Sequence, residues 1–250
     1  RYITGSIFNS FKPSINVLEH FTSNKPFLVF WLHFCRNILK EFDIVGEFEI
    51  LSVGGEEDSE KFCEKIDNAK EKGTTLGGII KIVFKNVPIG LGSHVHWDRR
   101  LDGKIAQAMM SIPAIKAVEV GAGVDAAHLK GSQMHDEIFV TKNKDVYRQT
   151  NNAGGIEGGM TNGETLIVKG TMKPIPTMKK ALHSVELKTH NETMAHFERA
   201  DNCAVYACGV VAQNMSAIII LDEFLEKFGK DCKQDIDNAY SQYQKRINEI

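Results

Sequence analysis

The sequence predicts an α+β fold, and three observations carry that expectation. Short apolar runs bounded by glycine or proline recur at strand length: EFEILSV closed by Gly54-Gly55, GGIIKIVFKNV from Gly77 to Val87, and ETLIVKG ending at Gly170. Segments with helical spacing lie between and around them. Ala207 to Phe228 forms one long apolar stretch, kept wet only by Gln213, Asn214, Ser216 and then Asp222 onward, so it predicts a helix packed in the core or at a subunit interface.

Taken in order, residues 1–34 hold no persistent helical period and read as an atypical N-terminal segment, with residues 35–250 as the regular domain. The most apolar run, Pro26 to Phe34, has nine residues. A bilayer-spanning helix needs roughly 20, so no membrane segment is expected. Nor does a signal peptide precede that run. From Cys35, CRNILKEF places Ile38, Leu39 and Phe42 on one helical face and leads into the EFEILSV strand. Glu56 to Lys72 is a charged surface helix with Phe62, Ile66 and Ala69 on its inner face, ended by Gly73.

After the Gly77–Val87 strand, His94 and His96 would share one face of an extended segment. A metal site needs a further ligand of compatible spacing, and none is near, so they read as polar strand residues. Leu101 to Met110 predicts a helix, and Pro113 a turn into another strand. Gly121 to Glu137 reads as loop, with His135, Asp136 and Glu137 in a solvated turn. Val124 to Asn152 is the longest polar connection, of the kind that carries function on a rigid scaffold.

That connection feeds the most unusual stretch, Thr150 to Thr177. Five glycines fall between Ala153 and Gly163, with Glu157 the only charge among them, and the stretch closes on Lys173-Pro174-Ile175-Pro176-Thr177. Glycine at that density is retained where positive φ or close backbone approach is required, and the prolines stiffen a cationic turn. Two readings follow: a surface loop plus a turn, or a cradle for a flat or anionic ligand. Neither GxGxxG nor GxxxxGK[ST] is present, so no Rossmann or P-loop site is expected. Further on, Arg199 and Asp201 are two apart and share a face if extended. They read either as a surface ion pair or as an anion-binding group beside a proton carrier. Cys203 and Cys208, five apart, read as small buried residues, and Asp231 to Ile250 as a charged terminal helix.

Net charge is −2 and pI about 6.5, which leaves no electrostatic footprint for nucleic acid or an anionic membrane. Five scattered cysteines fit free thiols in a reducing compartment, the cytoplasm.

The succession GSHVHWDRRLDGKIAQAMMSIPAIKAVEVG, GSQMHDE, TNNAGGIEGGMTNG, MKPIPT and ERADNCAV resembles chorismate synthase in order and spacing, from about Cys35 to Phe228. The resemblance implies antiparallel β-sheets sandwiched together with helices on the outside, and a homotetramer. It also implies a lyase converting 5-enolpyruvylshikimate 3-phosphate to chorismate and phosphate with reduced FMN and no net redox change. The family's flavin contacts fall on Pro113, Ala114, Gly158, Lys173, Pro174, Ile175, Pro176, Thr177 and Arg199, and its acid/base aspartate on Asp201.

Departures accompany the match. The family's N-terminal Gly-Glu-Ser-His segment, a second histidine and several substrate-binding arginines have no counterpart here. Asn16-Val17-Leu18-Glu19 matches, but HFTSNKPFLVFWLHF then stands where an Arg-Ser-Ser-Ala-Arg-Glu flavin loop is expected, as a frameshift or divergence would leave it. Tyr206 replaces a usual proline. A non-catalytic remnant that folds and oligomerises is therefore the competing expectation. Whether the chain reduces its own flavin with NADPH stays open at this point.

Overall fold

A computed structural model describes residues 34–142, 146–197 and 201–249. Its centre is a four-stranded antiparallel sheet in the order β1 (Val45–Val53), β2 (Gly78–Lys85), β8 (Leu166–Met172), β3 (Ile115–Val120). β2 alternates so that Ile80, Ile82 and Phe84 point to one face, all of them fully buried. In β8, Leu166, Val168, Gly170 and Met172 share that face, since Ile80 pairs with Gly170 and Ile82 with Val168.

Helices cover this inner face. α1 (Phe62–Glu71) is the charged surface helix, α2 is Leu101–Met110, α3 is Val205–Phe228 and α4 is Lys233–Asn248. α3 packs on β1, β2 and α2, and α4 packs on α3. Side-chain-free positions set these distances. Phe48 of β1 seats its ring against Gly209 of α3, where a Cβ would come within 2.4 Å of that ring. Phe224 is fully buried, with ring centroids 4.6 Å from Phe42, 4.7 Å from Phe228 and 5.1 Å from Tyr240. Lys104 of α2 pairs with the buried Glu223 of α3, so this carboxylate in the apolar layer has its countercharge beside it. α3 is also long and apolar enough to cross a membrane, yet over half of its most apolar window is buried inside the protein.

The outer face of the sheet carries charge. Glu49, Lys81, Lys169 and Glu119 stand side by side across the four strands, with Lys81–Glu49 at 2.6 Å and Lys169–Glu119 at 3.4 Å.

Several sequence expectations change. His94 and Val95 form a bend and Trp97–Arg99 a single 3₁₀ turn, so His94 and His96 are exposed loop residues and not a strand pair. Asp136 is buried at 8% exposure, not part of a solvated turn. The polar connection from Val124 contains a 3₁₀ turn at Gly123–His128 and a hairpin, β4 (Ile138–Val140) with β5 (Val146–Arg148). Beyond the Lys173–Thr177 turn, β9 (His183–Val185) pairs with β10 (Glu192–Met194).

Candidate active site

The glycine-rich stretch folds as a minimal hairpin. β6 (Ile156–Glu157) and β7 (Met160–Thr161) are joined by Gly158 and Gly159, with φ of +59° and +83°. A two-residue turn of that hand needs positive φ at both central positions, which is the local reason for the glycine pair. Among the described residues a Cβ added at Gly158 would meet no non-neighbouring atom within 4 Å, whereas one at Gly159 would strike Arg100.

Two sets of contacts fix the hairpin. Thr161, nearly fully buried, donates through Oγ1 to the Pro88 carbonyl at 2.6 Å, and accepts from Leu91 N–H at 2.8 Å. Its backbone N–H also donates to the Leu91 carbonyl, and its carbonyl accepts from Gly90 N–H. On the other side, Arg148 donates to Glu157 at 2.7 Å and to the Asp136 carbonyl at 3.1 Å. Asp136 itself organises the approach to the glycines. Its carboxylate accepts from Thr150 Oγ1 at 2.6 Å, from Asn152 N–H at 2.7 Å and from Ala153 N–H at 2.9 Å. Burial alone would raise its pKa, but these donors, with the charge of Arg148, hold it below the usual carboxylate value. Nothing in the sequence marked Asp136 as buried, because its neighbours His135 and Glu137 are not. Only Thr150 gives it a side-chain donor; the other two donors are backbone N–H groups of Asn152 and Ala153, which no side-chain pattern announces.

The second part of the site is the turn that follows β8. Lys173 N–H donates to the Ala114 carbonyl at 2.9 Å, so the Pro113-Ala114 turn and the Lys173–Thr177 segment are neighbours. Ala114 has φ +72°, an uncommon conformation for a residue with a Cβ. Lys173, Pro174 and Pro176 are exposed, while Ile175 and Thr177 are half-buried. Opposite stands the Thr74–Gly77 loop. Thr75 Oγ1 donates to the Ile175 carbonyl at 2.6 Å, and a Cβ at Gly77 would come within 2.2 Å of the Met172 carbonyl oxygen.

The third part is Asp201, exposed, just ahead of α3. Thr177 and Asp201 both line a cavity of about 540 Å³, together with Thr75, Lys70, Lys179 and Cys203. Burial pushes the Cys203 thiol up, against a weaker backbone hydrogen bond, and pushes Cys208 to about 11, so neither is a ready nucleophile. The described residues contain no group of three His, Cys, Asp or Glu side chains able to hold a metal.

The structure thus gathers Pro113, Ala114 and the Lys173–Thr177 turn on one side, with Asp201 facing Thr177 across the cavity. Gly158 stands on its own hairpin, whose anchors run to the Pro88–Gly92 loop, Arg100 and Arg148. Arg199 lies outside the described residues. The exposed cationic turn, the free space over Gly158 and the carboxylate at the cavity are compatible with a flat anionic cofactor such as FMN.

The family model for chorismate synthase matches residues 15–225. The chain belongs to the chorismate synthase family. Chorismate synthase of Thermoanaerobacter pseudethanolicus is 49% identical over 206 residues, which are 82% of this chain and 59% of the relative. Chorismate synthase of Alkaliphilus metalliredigens is 42% identical over 267 residues, covering 96% of this chain and 70% of the relative. A solved structure entitled "Crystal Structure of Chorismate Synthase" superposes with a TM-score of 0.74 at 36% identity, covering 88% of this chain and 68% of the other. The α+β architecture of antiparallel sheets and helices is therefore that of the chorismate synthase family. The chain spans 59% of the length of the T. pseudethanolicus relative. The family match begins at residue 15, inside the segment that reads as atypical, and ends within α3.

Proposed function

We propose that this chain carries the flavin-binding and proton-handling part of a lyase that converts 5-enolpyruvylshikimate 3-phosphate to chorismate and phosphate. In that elimination the carbon–oxygen bond to phosphate breaks with its electron pair, a carbon–hydrogen bond in 1,4 relation loses its proton, and a new double bond forms. No electron is gained or lost overall. Reduced FMN, when bound, supplies the electron density that lets phosphate leave.

The chain's own residues supply the rest. Pro113, Ala114, Gly158 and the Lys173–Thr177 turn hold the flavin, joined by Arg199. Lys173 brings positive charge to an anionic ligand, and the two prolines keep the turn from collapsing into a strand. Asp201 holds and releases a proton at a carboxylate oxygen. The observation that carries this reading is the single cavity onto which Thr177 and Asp201 both open. The family's homotetramer, its cytoplasmic setting and the assignment of residues 35–250 as the functional domain belong to the same proposal.

The second reading is a folded, non-catalytic chain, and it is favoured by HFTSNKPFLVFWLHF standing where the family's Arg-Ser-Ser-Ala-Arg-Glu flavin loop is expected. Turnover of the parent with reduced FMN separates the two, and Asp201→Asn tests the residue. Asparagine keeps size and hydrogen bonding but carries no transferable proton, so turnover with reduced FMN should fall by roughly 10²–10⁴ while FMN still binds. Equal turnover in Asp201→Asn and parent would remove Asp201 from the mechanism, and flavin binding without turnover in the parent would select the second reading.

A further inference from the structure

Among the described residues no hydrogen bond joins the Lys173–Thr177 turn to the Asp201 segment; a third segment, Thr74 to Gly77, touches both. Toward the cofactor turn, Thr75 donates to the Ile175 carbonyl at 2.6 Å, and the chain at Gly77 passes so close to Met172 and Pro174 that no side chain fits. Toward Asp201, Leu76 N–H donates to the Asn202 carbonyl at 2.8 Å and Asn202 Nδ2 donates to the Thr74 carbonyl at 2.9 Å. Leu76 also pairs with Cys203 as a parallel bridge.

We propose that Thr75 is a positioning residue for the cofactor turn, and that Asn202 locks the same loop to the Asp201 segment so that both move as one body. The inference rests on the functional reading above and goes beyond it, because neither residue is among the flavin contacts or the acid/base group. The physical need is specific. Pro174 and Pro176 have no backbone N–H, and the β8 ladder ends at Met172, so the turn cannot be held by strand pairing. A buried hydroxyl aimed at the carbonyl between the two prolines replaces that pairing. Thr75 is 6% exposed, so water is poorly placed to substitute for it.

The test is anaerobic titration of the protein with reduced FMN, with thermal unfolding measured beside it. Thr75→Val keeps the branched shape and removes only the hydroxyl. It should weaken the FMN Kd by about tenfold with only a small change in Tm, the scale of one lost hydrogen bond on a buried acceptor. Thr75→Ser, which restores the donor, should return the Kd to near the parent value. Asn202→Ala leaves the Leu76 hydrogen bond intact and loosens the loop from its other side, so a several-fold weaker Kd is expected. It also serves if the valine variant does not fold. A Thr75→Val protein that binds reduced FMN like the parent, or a serine variant as weak as the valine one, overturns the inference. A parent that binds no reduced FMN overturns the functional reading itself, and this inference with it.

Discussion

At the scale of single residues, one buried carboxylate and one exposed glycine do opposite jobs. Asp136 faces inward and accepts three hydrogen bonds, so it shapes the backbone that leads to the glycine hairpin. Its pKa is lower in the folded chain than the ordinary value near 3.9, which means the folded state binds its proton less tightly than the unfolded state. The stabilisation is therefore fully present above about pH 4 and is lost as pH falls through the folded value. Asp136→Ala leaves buried donors without an acceptor and should cost at least about 1–3 kcal/mol at pH 7. In chemical denaturation the gap between parent and variant should shrink below pH 4. A gap that is constant with pH would show that the charge of Asp136 is not what the donors require.

Gly158 faces outward. Its φ of +59° asks for a residue that tolerates the left-handed region, and nothing among the described residues crowds it. Asparagine tolerates that region as well, so Gly158→Asn separates backbone need from ligand need. The variant should fold within about 1 kcal/mol of the parent and bind reduced FMN at least tenfold more weakly. Unchanged flavin affinity would remove Gly158 from the cofactor contacts.

At the scale of elements, the most apolar helix was the most legible. The run from Ala207 to Phe228 announced a buried helix, and α3 occupies Val205–Phe228 with Ala212, Ala217, Ile220 and Phe224 fully buried; Gln213, Asn214 and Ser216, expected on a wet side, are buried as well. Half-buried Ile218 and Ile219 mark its flanks, a distinction that the sequence could not make in a stretch apolar on nearly every side. Strands β2 and β8 were legible for the same reason, since alternation survives when one sheet face is charged. Loops were not. The His94 to His96 segment alternates like a strand but has glycines ahead of it and no partner strand, so it bends. Asp136 was hidden because its partners lie 14 to 17 residues away, beyond any local pattern. Thr75 was hidden too, because its partner Ile175 is 100 residues distant. The resemblance proposed contact residues; it said nothing of what holds them.

The aromatic cluster gives this scale its prediction. Phe224 joins Phe42 beside β1 to Tyr240 of α4, so its ring ties helix to sheet and to the terminal helix. Phe224→Ala should cost about 3–5 kcal/mol in equilibrium unfolding. A loss below about 1 kcal/mol would mean that α4 repacks into the vacated space and that the cluster does not fix its position.

At the scale of the whole molecule, the inner face of one sheet is sealed by helices while the outer face is ordered by a transverse line of charges. That leaves the candidate site at the end of the sheet where β8 runs out, with α3 beginning beside it. The sheet sets the Lys173–Thr177 turn, the start of α3 sets Asp201, and the Thr74–Gly77 loop spans the two. A redox-neutral lyase has to release its two products together, and nothing else distinguishes it so directly from a bare flavin-binding domain. The decisive measurement is the anaerobic reaction of the protein with 5-enolpyruvylshikimate 3-phosphate and reduced FMN, following chorismate by absorbance and inorganic phosphate in the same sample. The account predicts chorismate and phosphate appearing in equal amounts over many turnovers, with the flavin still reduced at the end. No chorismate, or phosphate released without it, would contradict the account.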